Sequence, residues 1–218
     1  MNPALFNRWY CYQAIKKRAP LLTGKLLDFG CGRKPYRNLF TNVGEYIGVD
    51  IEVSGHSHAE SEVDVYYDGK TVPFGDEYFD SLYCSEVLEH LFNPDEILKE
   101  LHRVLKKGGI GLFTFPFSWQ EHEQPYDFAR YSSFAAKYIF EQKGFEVLEI
   151  HKNGHFIITV WQLWIIYIWT LFRTKSRYLN TLFTIIFITP FNIIGLIFAI
   201  FPRSKDLYMT NVVMIKKK

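Results

Sequence analysis

An α/β fold with a mostly parallel sheet and helices on both faces is what this 218-residue chain predicts. Two observations carry it. From residue 25 to 151, short apolar runs of β character alternate with longer helical patterns. The last run of β character, DLYMTNVVMIKKK (206–218), is reached from the one before it only through two apolar segments. No crossover helix links those two strands, so the last is expected antiparallel to its predecessor.

The amino-terminal MNPALFNRWYCYQAIKKRAP reads as an amphipathic helix ending near Ala19, ahead of Pro20. It lacks the apolar stretch and cleavage pattern of a secretory signal. KLLDFG (25–30) is the first strand, EYIGVDI (45–51) the second, EVDVYY (62–67) the third and YFDSLYC (78–84) the fourth. A helix follows over 93–106, with Asn93 at its cap, Pro94 at its first position and Gly108–Gly109 beyond its end. GIGLFTFPF (109–117) is the fifth strand. SSFAAKYIFEQKG (132–144) is a helix with Ser132 at its cap, and FEVLEI (145–150) is the sixth strand.

Between strands six and seven lies the insertion. FIITVWQLWIIYIWTLF (156–172) holds no charge, and a second apolar run covers 179–201. As helices they would reach about 26 and 35 Å, near the roughly 30 Å of a bilayer's hydrocarbon. RTKSRY (173–178) joins them, and its three cations oppose a crossing that would carry them outward. Pro190, Asn192 and Gly195 are expected to interrupt the second run near its middle. The favoured reading is a segment dipping into, or lying within, the cytoplasmic leaflet. A spanning hairpin, a soluble lid and an oligomer interface stay open. The chain divides into an α/β domain (1–154 and 206–218) and a helical insertion (155–205).

A formal net charge of +2 gives no sign of a nucleic-acid partner. Cys11, Cys31 and Cys84 are odd in number and have no metal or redox spacing, which fits a reducing compartment.

The chemistry concentrates at strand ends, where open α/β sheets bind ligands. LLDFGCGRKPY puts Asp28, Gly30 and Gly32 at the end of strand one. Glycines there allow a tight turn and close approach of backbone to ligand. A dinucleotide fingerprint wants another glycine at position 35, which is Pro35, so a nicotinamide or flavin enzyme is disfavoured. Asp50 closes strand two, where a carboxylate can accept from both ribose hydroxyls. Asp68 follows strand three, ahead of VPF.

With LDFGCG, YIGVDI, VPFGDEYFDSLYCSEVLEHL and LKKGGIGLFTFPF, the chain resembles a bacterial class I S-adenosylmethionine-dependent methyltransferase over about 24–151 and 206–218. The resemblance implies a Rossmann-like seven-stranded sheet with an antiparallel last strand, and S-adenosyl-L-methionine as cofactor. It implies that Asp28, Gly30 and Gly32 wrap the methionine part, Asp50 the ribose and Asp68 the adenine. Cys84, closing strand four, is counted with the cofactor-binding residues. Lys34 stands where many members carry a third glycine.

Methyl transfer displaces an activated leaving group, so the protein must align the acceptor and remove its proton when it is a hydroxyl. In SEVLEH, Glu86, Glu89 and His90 share helical faces. Structural, basic and metal-binding roles are all open to them. The stretch resembles the metal-binding segment of ubiquinone-pathway O-methyltransferases, but no metal is expected. SWQEHEQPYDFARYS (118–132) follows strand five. His122 there is the preferred base; His90 and Asp127 are the other catalytic candidates, and Arg130 and Tyr131 could orient substrate. The bland alternative is a loop in which Asp127 and Arg130 pair with each other. His56 and His58 read as a solvated loop.

Taken together, the sequence points to a membrane-associated methyltransferase on the cytoplasmic side of a bacterial inner membrane, acting on an oxygen of a lipidic or lipid-linked acceptor. A soluble small-molecule methyltransferase and a non-catalytic, membrane-tethered cofactor-binding module are the rivals.

Overall fold

The computed structural model describes residues 2–52, 61–201 and 204–218. Seven strands form one sheet: β1 (Gly24–Phe29), β2 (Val43–Ile51), β3 (Val65–Tyr67), β4 (Phe79–Ser85), β5 (Leu105–Pro116), β6 (Phe145–Asn153) and β7 (Thr210–Lys217). Their order is β3-β2-β1-β4-β5-β7-β6. The pairs from β3 through β5 are parallel, and β7 runs antiparallel to both β5 and β6.

Two packed layers bury the sheet. On one face, α2 (Pro94–Val104) and α3 (Ser133–Gln142) set Ile97, Leu98, Leu101, Ala136 and Phe140 against Leu27, Leu82, Phe113 and Val213. On the other, α1 (Leu5–Arg18) sets Cys11, Ala14 and Ile15 against Leu26, Tyr83, Leu112 and Met214. The alternation of faces along β1 follows from the period of two.

The strand ends differ from the sequence reading for local reasons. β3 is three residues, not six. The chain before it is held at the first loop instead: the Glu62 N–H donates to the Gly32 carbonyl (2.8 Å) and the Asp64 carboxylate accepts from the Gly48 N–H (2.6 Å). Between β1 and β2 there is only a 3-10 turn at Arg37–Leu39. α2 starts at Pro94 as expected, although Asn93 makes no side-chain cap, and it stops at Val104, so β5 begins earlier than the sequence suggests. Ser132 does cap α3, its Oγ accepting from the Ala135 N–H at 3.2 Å.

The insertion is a hairpin of two helices, α4 (Phe156–Phe172) and α5 (Arg177–Phe198). Contrary to the expected interruption, α5 runs unbroken through Pro190. A π turn at Thr184–Ile188 precedes the proline. The wider turn gives room where the pyrrolidine ring would strike the carbonyl four residues back. The Thr189 hydroxyl donates to the Thr184 carbonyl, five residues back, at 3.0 Å.

Candidate functional site

The carboxyl ends of β1, β2, β4 and β5 form one rim, because the registers align Phe29 with Val49 and Cys84, and Ser85 with Thr114. Gly30 and Gly32 turn the chain there with φ of 71° and 47°. A Cβ on Gly30 would sit 2.2 Å from Val87 Cγ2, whereas one on Gly32 would meet nothing within 4 Å. The first glycine is dictated by packing and the second leaves open space above the loop.

Asp50 locks this loop. Its Oδ2 accepts from the Gly32 N–H and its Oδ1 from the Ile51 N–H, both at 2.8 Å. Asp28 is buried under the loop, with the Tyr46 hydroxyl donating to Oδ2 at 2.5 Å. Burial pushes its pKa up to about 7, aided by the nearby Asp50 and Asp64; Tyr46 and Lys34 act against the rise. Asp68 is exposed, and its Oδ1 accepts from the Lys70 and Thr71 N–H groups at 2.9 and 2.7 Å, which holds its carboxyl low. Cys84 is 1 % exposed, packed in the core beside Leu82 and Leu27, with Glu89, Asp28, Glu86 and Asp50 near enough to add to the rise that burial gives its thiol pKa.

Lys34 takes φ 49°, the conformation a glycine would adopt most easily. Its stem crosses Gly48, where an added Cβ would lie 2.3 Å from Cε, and its ammonium meets Asp64 at 2.6 Å. The absent third glycine is thus replaced by a buried cation with its own counter-ion. Sequence reading missed Tyr46 and Asp64 in this cradle.

Past β4 the rim becomes a titratable cluster. Glu86 has φ 55°, its N–H donates to the Thr114 carbonyl, and its carboxylate accepts from the Thr114 hydroxyl at 2.9 Å. Burial raises it to about 7. Glu89 is fully buried, and neither carboxylate oxygen has a hydrogen-bond partner among the described residues. Burial first, and Glu86 second, push it well above the usual range.

His90 and His122 meet edge to face, with ring centroids 4.8 Å apart. His90 Nδ1 lies 2.6 Å from the Tyr126 carbonyl, and its Nε2 is 3.8 Å from Glu89. His122 Nδ1 lies 3.1 Å from Asp127 Oδ2, and its Nε2 is 4.0 Å from Glu89. Burial lowers the His122 pKa, and the neighbouring His90 lowers it further. Asp127 also accepts from Arg130 Nη1 and Nη2, which hold it well below the usual carboxylate range. The bland pairing of Asp127 with Arg130 and the catalytic pairing with His122 therefore coexist. His56 and His58 lie outside the described residues.

One carboxylate and two imidazoles, with ligand atoms within 4.8 Å of one another, form a set able to hold a divalent ion. The sequence trio of Glu86, Glu89 and His90 is not that set, since His122 stands where Glu86 was expected.

A family model described as a methyltransferase domain matches residues 27–113. The ubiquinone biosynthesis O-methyltransferase of Thiobacillus denitrificans is 30% identical over 125 residues, covering 52% of this chain and 51% of that protein. An uncharacterized protein of Methanocaldococcus jannaschii is 36% identical over 101 residues, 44% and 46% of the two chains. The chain thus spans about half the length of the curated relatives it matches. Among solved structures, the [4+2]-cyclase SpnF has a TM-score of 0.61 at 17% identity, covering 95% of this chain and 80% of that one. A phosphoethanolamine N-methyltransferase of Haemonchus contortus in complex with S-adenosyl-L-methionine has a TM-score of 0.58 at 20% identity, covering 96% and 52%. These structural likenesses establish the fold.

The cradle fits the cofactor of that fold. Gly32 leaves open space, the Asp50 carboxylate lies beside it, and the Asp28 carboxyl is held beneath.

Proposed function

We propose that this chain, which belongs with the class I S-adenosylmethionine-dependent methyltransferases by fold, family model and relatives, methylates an oxygen of a lipidic or lipid-linked acceptor at a membrane surface. One observation carries the lipid half of the reading. Thr210, where the apolar hairpin rejoins the sheet, pairs with Asn153 on one side and with Pro116 on the other. The hairpin root therefore adjoins the end of β5, from which the loop bearing His122 and Asp127 departs.

In this reading Asp28, Gly30 and Gly32 hold the methionine part of the cofactor, Asp50 the ribose and Asp68 the adenine. When bound, S-adenosylmethionine supplies a methyl group on a positively charged sulfur. His122 takes the acceptor's proton at Nε2, Asp127 fixes the ring through Nδ1, and His90 packs edge to face against the same ring. A lowered His122 pKa keeps the imidazole neutral and ready to accept at neutral pH. The named function of the ubiquinone-pathway relatives favours an oxygen acceptor. Prenylated quinone precursors, polyprenyl-linked glycans and other isoprenoid lipids are the candidate classes. The place of action is the cytoplasmic face of a bacterial inner membrane.

The test is transfer of labelled methyl from the cofactor into a total lipid extract. Label in a single lipid species is the expected result. Label confined to water-soluble compounds would favour a soluble enzyme with the hairpin as a lid. Cofactor binding without transfer to any fraction would favour the non-catalytic module.

A further inference from the structure

Each of the two apolar helices carries one fully buried amide, and both amides reach the amino terminus of the chain. Gln162 Oε1 accepts from the N–H groups of Phe6 (3.0 Å) and Asn7 (3.3 Å), and its Nε2 donates to the Pro3 carbonyl (2.8 Å). These N–H groups belong to the first turn of α1, which has no capping side chain of its own. Asn192 Nδ2 donates to the Asn2 carbonyl at 3.3 Å. Gly195 makes room for Phe6: a Cβ there would lie 2.4 Å from its ring. Phe6 packs with Ile158, Ile165 and Ile188. Residues 2–7 are thus wedged between α4 and α5.

The wedge limits the hairpin's reach. Beyond Gln162, residues 163–172 extend about 15 Å, and beyond Asn192 toward the tip, residues 177–191 extend about 22 Å. A bilayer's hydrocarbon is roughly 30 Å thick. α5 alone is long and apolar enough to cross it. The tip, however, carries Arg173, Lys175 and Arg177. The sequence holds no Asp or Glu between Glu149 and Asp206 to neutralise them.

An upright hairpin with the wedge outside the membrane would strand those cations near the bilayer's middle, where charge is costly. A full crossing would instead draw the wedge into hydrocarbon, with the exposed Arg8 two residues past Phe6. Lying flat removes both penalties. It also uses the exposed apolar stripe of Ile157, Val160, Trp164, Tyr167 and Leu171 on α4.

We propose that the α4–α5 hairpin lies in the plane of one anionic leaflet, as a monotopic anchor whose angle is set by the wedged amino terminus. This rests on the membrane reading above and narrows it. The tip cations sit among anionic headgroups, and the exposed indole of Trp164 lies at the interface, whereas Trp161 stays inside the hairpin with its N–H donating to the Phe191 carbonyl.

The experiment uses the full chain added outside sealed vesicles of phosphatidylcholine, with or without phosphatidylglycerol. Flotation is expected with the anionic lipid and is expected to fall at least about tenfold in Lys175→Glu/Arg177→Glu. A Ser176→Cys variant then reports topology with a membrane-impermeant maleimide, since the three native cysteines are buried. In-plane docking predicts equal labelling of the introduced thiol before and after the vesicles are opened. Labelling only after opening means a crossing and overturns the proposal while leaving membrane association intact. Absence of flotation with either lipid, with cofactor binding retained, overturns the membrane reading together with it.

Discussion

Asp50 holds the glycine loop through Oδ2, which accepts from the Gly32 N–H, while its Oδ1 accepts from the Ile51 N–H, so it shapes the cradle even before any ligand arrives. Asp50→Ala is expected to weaken S-adenosylmethionine binding at least about tenfold, or roughly 1.4 kcal/mol, by calorimetry. Unchanged tight binding would remove this assignment. His122→Ala should lower methyl transfer by about 10²–10⁴-fold while sparing cofactor affinity, the range for a lost general base. The rate of the native chain should rise with pH below the ordinary histidine value of about 6.5 and level off above it, because burial depresses the folded pKa of His122. Stability has an opposite-signed contribution. Asp28 and Glu86 have folded pKa values raised to about 7, so the folded state binds their protons more tightly than the unfolded state does. Their stabilising protonation is full below about pH 4 and is lost as pH rises toward 7. Thermal unfolding of Asp28→Asn should therefore fall less between pH 4 and 7 than that of the native chain. Asp28, Gly30, Gly32, Asp50 and Asp68 are singled out in the sequence by their places at or just beyond strand ends, and the roles proposed for them rest on the family resemblance. Lys34 and Glu89 are also singled out there, but the backbone of the one and the burial of the other are not legible. Nothing in a sequence says that a lysine will adopt a glycine's φ, or that a glutamate in a common stretch will be buried without a partner.

At the scale of elements, patterning gave the strands and left their ends to tertiary contacts. EVDVYY alternates like a six-residue strand, but Asp64 is held by Lys34 and Gly48, which leaves β3 only Val65–Tyr67. The sequence predicts a break at Pro190 because the rule against internal proline is local, whereas a π turn one step upstream relieves it. Gln162 could be seen in the sequence as a lone amide in an apolar run, but its partners lie about 160 positions away, at Pro3, Phe6 and Asn7. Replacing it tests the wedge. Gln162→Leu keeps the volume of an apolar helix but orphans two buried donors at the start of α1. A loss of about 1–3 kcal/mol is expected in denaturant unfolding, with cofactor affinity unchanged. A neutral result would mean that water satisfies the helix end and the amide contributes little.

At the scale of the molecule, the catalytic layers and the hairpin are nearly separate bodies of packing. The two large clusters flanking the sheet contain no residue from 156–201, while the third joins α4 and α5 to Phe6 and Met209. β6 and β7 are antiparallel neighbours paired at Asn153 and Thr210, so a short turn can close them once the insertion is removed. Replacing residues 156–204 with a short Gly/Ser turn, together with Phe6→Ser to cover the exposed wedge, should therefore leave a folded, cofactor-binding domain. If the hairpin serves to bring a lipid to the rim, this variant should lose vesicle flotation and methyl transfer into lipid. Transfer to a water-soluble analogue of the acceptor headgroup should survive within about tenfold. The contrast decides the hairpin's role, because a lid over a soluble-substrate site predicts loss of both activities together. An oligomer interface predicts a change in sedimentation, with neither activity tied to lipid.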